Sequence, residues 1–137
     1  MGTWSVDSFG NDDACDWTYE LAKANDLTPV EEAIDAVLNS GEDGVEAYEA
    51  TEAIAAIEVI ARLQGNWGDR SAYSERLDDW VEKNNLQPSV ALKQKANLAI
   101  ERILAEDSEL NELWQESEEY EAWRASVTEL MGRVNLS

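Results

Sequence analysis

Histidine is absent from the 137 residues, cysteine occurs once, proline twice, and only ten basic side chains stand against 30 acidic ones. Each scarcity closes a class of chemistry. Without histidine there is no Ser-His-Asp triad and no histidine-ligated haem, and with a single thiol there is no zinc site of the usual kind. The lone Cys15 excludes an intramolecular disulfide and fits a reducing compartment. With no basic neighbour in sequence, it reads as an inert, partly buried thiol and not a nucleophile.

No apolar run approaches the roughly 20 residues of a membrane span, and the N-terminus carries neither the basic nor the apolar region of a secretory signal. The expected location is the cytoplasm. Gly2 opens an acylation signal, but Val6 stands where Ser or Thr is required. A Gly-x-x-x-x-Gly-Lys loop is missing, and no strand precedes a dinucleotide fingerprint. The calcium-loop spacing from Asn39 fails at its last position, where Ala50 replaces the bidentate Glu.

What is present is charge and helical periodicity. A formal charge of −20 keeps the chain soluble, repels nucleic acid, anionic membrane and phosphorylated substrates, and favours cations or basic proteins as partners. A hydrophobic fraction of 44% with six tryptophans is too high for a chain that never folds. The length suits one domain, residues 1–137, with a sizeable core.

Along the chain, residues 2–11 have neither helical nor strand period, and Trp4 and Phe9 are expected to anchor an irregular arm. Asn11 or Asp12 caps a first helix, with Ala14, Trp17 and Leu21 as its apolar stripe to about Asn25. Thr28-Pro29-Val30-Glu31 predicts a second helix with Thr28 as cap and Pro29 at the first position. From about Gly44 to Leu63 the chain is apolar on almost every side. Tyr48, Ala53, Ile54, Ile57, Ile60 and Ala61 form its broad face, so this helix is expected at the centre, closed by Gly65. A fourth helix is expected from about Ser71 to Asn84. A fifth runs from Pro88 to about Ala105, with Leu92, Ala96, Ala99 and Ile103 as its stripe and Val90 and Ile100 beside it. Ser108 caps a last helical region with Leu110, Leu113 and Trp114, then a break near Ser117, then Trp123, Val127, Leu130, Met131 and Val134. The fold class is all-α, a compact bundle of five to seven helices with an irregular N-terminal arm.

The charge is polarised. Residues 1–61 hold 15 acids and one base, Lys23, whereas residues 83–102 carry Lys83, Lys93, Lys95 and Arg102 against Glu101. The fifth helix is therefore the counterpart for an internal or self-association contact, with a dimer as one outcome.

Two i,i+3 acid pairs, Glu49/Glu52 and Glu75/Asp78, sit on the third and fourth helices. Their spacing resembles the Glu-x-x-Glu and Glu-x-x-Asp signature of the all-helical nucleotide pyrophosphohydrolases of the MazG and dUTPase kind. That resemblance implies Mg²⁺ held by the four carboxylates and a phosphate substrate. A solvated acidic face explains the same residues, because i,i+3 pairs recur by chance at this acid content. Asn11-Asp12-Asp13 serves as a helix cap or as a metal or ligand loop, and Asp12, Asp13 and Asp16 are candidate partner contacts. The tryptophans mostly fall on apolar stripes and read as core and not as a ligand cage. Trp67, in a Gly-rich turn, is either folded over a helix end or exposed as a contact anchor.

The opening Gly2-Thr3-Trp4, Phe9, Asn11-Asp12-Asp13-Ala14 and Asp16-Trp17 resembles the N-terminal signature of the bacterial domain of unknown function 4259 family. Leu113-Trp114 and the Trp123, Val127, Leu130, Arg133 pattern are similar to that family's end. Ser5 and Asp7 stand where glycines are expected, which implies a stiffer arm or altered contacts. The resemblance implies a small helical bacterial protein and no particular activity. The charge supports a non-enzymatic module that binds a basic protein, of the immunity or antitoxin-like or nucleic-acid-mimic type, with no catalytic residues and no cofactor. The metal-dependent hydrolase is the alternative, and a protein with no dedicated charged partner is a third.

Overall fold

A run in which nearly every residue is apolar cannot leave a face to water, so the helix it forms must be enclosed by others. The computed structural model describes residues 12–40, 44–67, 75–84, 86–106 and 108–135, for residues 12–15 the backbone only. Among them are seven helices: α1 (Asp12–Ala22), α2 (Thr28–Leu38), α3 (Ala47–Leu63), α4 (Glu75–Asn84), α5 (Val90–Ile103), α6 (Glu109–Gln115) and α7 (Tyr120–Asn135). The all-α bundle is as expected, and α3 packs against all six other helices. From Ala50 to Leu63 every α3 residue except Glu52 is buried. Alanine at positions 50, 53, 55, 56 and 61 lets six neighbours approach one rod, and the isoleucines at 54, 57 and 60 fill the space between them. Among the described residues no helix is long and apolar enough to cross a membrane.

The start of α2 differs by one residue from the sequence expectation. Thr28 lies inside the helix, Leu27 takes the cap position without a side-chain bond, and Asp26 Oδ1 accepts from the Thr28 N–H at 3.0 Å. The acceptor moves back because Asp26 reaches the free N–H groups while leaving Pro29 in the first turn, where its missing donor costs nothing. Helix α3 begins at Ala47, later than expected, with carboxylates on its free donors. Glu49 Oε1 accepts from Glu46 N at 3.3 Å, and Glu109 Oε1 of α6 accepts from Ala47 N at 2.7 Å. Ser89 and Ser108 cap α5 and α6 through Leu92 N and Asn111 N. The break near Ser117 falls between α6 and α7, as expected. The arm of residues 2–11, with Trp4 and Phe9, lies outside the described residues, as do the side chains of Asp12, Asp13 and Cys15.

Three apolar residues assigned to core stripes face solvent. Tyr48 is 49% exposed, Val90 67% and Leu113 43%. Tyr48 and Val90 are at or next to the first residue of their helices, where no preceding turn covers them. Leu113 lies on the outer side of a seven-residue helix that has room for only one buried stripe.

Helix α3 ends in a Schellman turn. Gly65 adopts φ +87°, its N–H donates to Arg62 O at 2.9 Å, and Asn66 N donates to Ala61 O at 3.0 Å. A glycine takes this left-handed position without strain. The turn aims Asn66 and Gln64 at the end of α7, where they donate to Arg133 O at 2.9 Å and Val134 O at 3.1 Å.

Candidate functional site

Buried charges normally appear in pairs, because an isolated ion in the interior costs more than folding can supply. Here four lie together between α3, α4 and α7. Glu58 and Arg62, one helical turn apart on α3, meet at 3.2 Å. Arg62 Nη1 also donates to Asp78 Oδ1 of α4. From α7, Arg133 donates to Glu58 through both terminal nitrogens at 2.9 Å each, and its Nε donates to Glu129 at 2.8 Å. Arg62 is 2% exposed, Asp78 3% and Glu58 4%. Trp67 lies with its ring 5.6 Å from the Arg62 guanidinium carbon and packs half-buried on the core. Burial works against the charge on Arg133, but the bonds and charge of Glu58, then those of Glu129, outweigh it and raise the guanidinium above its ordinary pKa. Among the described residues no buried side-chain nitrogen or oxygen lacks a hydrogen-bond partner. The arrangement is an electroneutral pin between helices.

The four carboxylates with metal-site spacing are used differently. Glu49 sits at the head of α3 in its cap, Asp78 is turned inward onto Arg62, Glu75 is exposed on the first turn of α4, and Glu52 is half-buried on α3. Among the described residues no three carboxylates or thiols converge on a point where an ion could sit. Asp16 is exposed on α1, and Trp67 takes the inward-folded of its two expected positions.

The surface feature that sequence reading missed is Tyr48. It stands exposed at the head of α3, and the negative charges of Glu49 and Glu46, with smaller contributions from burial and Glu52, push its hydroxyl above the usual tyrosine range. Glu109 of α6 accepts from the preceding backbone N–H, that of Ala47. The only advance signal was the acid density from Glu42 to Glu52. Tyr120 is shifted the other way. A hydrogen bond with Gln115 outweighs the opposing effect of burial, and Arg124 adds to the lowering. An alkaline titration followed by the tyrosine ring carbons in NMR should therefore show Tyr120 ionising before Tyr48, and Tyr48→Phe should remove the later of these two steps. Because the folded value of Tyr48 is raised, its contribution to stability holds below the unfolded tyrosine value near 10 and is lost as pH rises through the folded one.

Acidic side chains continue across the outward sides of α1 and α2, where Asp16, Glu20, Glu31 and Glu32 are exposed. Lys23, the single base of that half, makes a 3.9 Å contact with Glu20 that is open to water and worth little. Since Glu58, Asp78, Arg62 and Arg133 cancel inside, the whole excess of 20 negative charges lies outside the buried pin.

No curated protein and no solved structure matches this chain. A family model does match it from residue 2 to residue 126, taking in the Gly2-Thr3-Trp4 and Asn11-Asp12-Asp13 motifs but stopping short of Val127, Leu130 and Arg133. The chain therefore belongs to the family described as domain of unknown function, DUF4259.

Proposed function

We propose that this protein is a non-enzymatic binding module of the bacterial cytoplasm that docks a basic protein on the acidic surface formed by α1, α2 and the head of α3. The observation that supports this most directly is Tyr48, an exposed aromatic surrounded by Glu46, Glu49 and Glu52. Tyrosine is enriched at contact hot spots because its ring supplies area at low entropic cost, and a ring of carboxylates selects lysine- and arginine-rich surfaces. The long-range field speeds encounter with such a partner, and like-charge repulsion discourages nucleic acid itself. Roles that need this chemistry include neutralising a nucleic-acid-binding protein by mimicry of phosphate and masking a basic toxin.

The test is retention of basic proteins from native lysate on the immobilised protein. Retention is expected at about 0.05 M salt and release by about 0.5 M, where screening reaches contact distance. The variant Glu20→Lys/Glu31→Lys/Glu32→Lys, whose positions are all exposed, should lose about nine-tenths of the retention, and Tyr48→Ala should weaken it roughly tenfold. Equal retention by the charge-reversed protein, or no basic protein held at low salt, refutes the proposal.

A further inference from the structure

We infer that Tyr19, on the outward side of α1, is a guanidinium seat, and that Arg76 of α4 occupies it as an intrachain stand-in which an arginine of the basic partner displaces. The inference rests on the basic-partner reading above and adds to it the kind of cation recognised. Arg76 holds its guanidinium carbon over the Tyr19 ring, 3.5 Å from the centroid, and its Nη1 donates to Thr18 Oγ1 at 3.0 Å. At that distance the cation is in van der Waals contact with the face of the ring. A planar guanidinium can stack there and still direct an N–H to a neighbouring acceptor, which a compact ammonium does less well. Thr18 is buried, so its hydroxyl is a fixed floor to the seat, while Tyr19 is 52% exposed and Arg76 half-buried, so the seat opens to water.

Two observations separate this seat from an ordinary tie between helices. The first is that α4 is held without it. Leu77, Trp80 and Val81 are buried, and Trp80 Nε1 donates to Ala24 O beyond the end of α1 at 2.8 Å. The second is charge. Asp16 and Glu20 on α1 and Glu75 and Asp79 on α4 are all exposed within one helical turn of the pair, so the surroundings favour any cation while the ring and the Thr18 hydroxyl select a guanidinium. Arg76 is thus a basic side chain of this chain already seated on the face that a basic partner would meet. Its long stem can swing out to water, and the partner's arginine then takes the same ring and the same hydroxyl. Because the incoming arginine must first displace it, Arg76 weakens partner binding by the worth of one exposed cation–π contact, about two- to fivefold.

Two short peptides of equal length, all-arginine and all-lysine, test the seat by calorimetry on the full chain at about 0.05 M salt. Arg76→Gln, which empties the seat, should raise the ratio of arginine-peptide to lysine-peptide affinity about two- to fivefold. Lys23→Gln, which removes a positive charge one turn from Tyr19, should tighten both peptides equally and leave the ratio unchanged. Adding Tyr19→Leu to Arg76→Gln should cancel the gain. In the parent, the side-chain N–H resonances of Arg76, shifted by the ring beneath them, should move toward free-arginine values as the arginine peptide saturates and stay in place with the lysine peptide. That measurement needs no variant and answers if Arg76→Gln fails to fold. An unmoved ratio in folded Arg76→Gln, a gain that survives Tyr19→Leu, or Arg76 resonances indifferent to bound arginine peptide overturns this inference and leaves the basic-partner reading standing. Binding of neither peptide overturns both.

Discussion

Replacing Glu58 by Ala should lower the free energy of unfolding by about 3–5 kcal/mol, among the largest losses any single side chain of this protein would cause. Its carboxylate accepts both terminal nitrogens of Arg133 and the Nε of Arg62. Without it Arg133 keeps Glu129, at the exposed edge of the cluster, and a long contact with Asn66 O at 3.5 Å, and Arg62 keeps Asp78. The cost comes from cations left in a low-dielectric interior more than from the bonds themselves, and a second variant separates the two. Exchanging Glu58, Arg62, Asp78 and Arg133 together for apolar residues of similar volume should be close to neutral or stabilising, because it removes the desolvation cost with the attraction. Urea denaturation of both proteins is the check. If Glu58→Ala loses less than about 1 kcal/mol, water reaches the cluster in solution and the pin is not a dry one.

Ile57→Ala should cost a comparable amount, about 2–5 kcal/mol, for a different reason. Ile57 is fully buried on the helix that touches all the others, and its neighbours in sequence, Ala55 and Ala56, are buried and already small. A cavity opened there is walled by several independent helices, none of which can move inward without leaving its other contacts, so collapse recovers little of the loss. The measurement is again the urea midpoint, with the slope unchanged from the parent if the denatured state is unaffected. A loss below about 1 kcal/mol would mean that the bundle closes around the gap and that α3 is less confined than its burial indicates.

Local pattern carried the helix content, the central place of α3 and the Ser108 cap of α6, since each depends on near neighbours that tertiary packing then reinforces, whereas α5 begins at Val90 behind a Ser89 cap and not at Pro88. Helix ends were less legible. At α2 Asp26 and Thr28, two residues apart, can both serve the free donors, and in the fold Asp26 does so while Thr28 is drawn into the helix. Exposure at Tyr48, Val90 and Leu113 was invisible for a related reason: a helix stripe has ends, and where coverage stops is fixed by neighbours distant in sequence.

The charged pin was half legible. Glu58 and Arg62 stand four apart in a stretch, Ala53 to Leu63, that offers no polar face, so ions there must be buried and paired. What could not be read was that Asp78 and Arg133 complete the set, because 30 acids give every base a nominal partner. The same abundance made Glu75/Asp78 look like a ligand pair. Spacing places two carboxylates on one side of a helix but does not say whether that side meets water, an ion or an arginine, and Asp78 meets Arg62.

Arg133 also bears on where this chain's folding unit ends. The matched region stops at Ser126, whereas Leu130, Arg133 and Val134 are buried in α7, and the backbone of its last turn is tied to Gln64 and Asn66. A chain cut after Ser126 would keep all of the matched sequence yet strip Glu58 of its bidentate cation and uncover one flank of α3. In this chain the recognisable sequence and the cooperative unit therefore have different C-terminal boundaries.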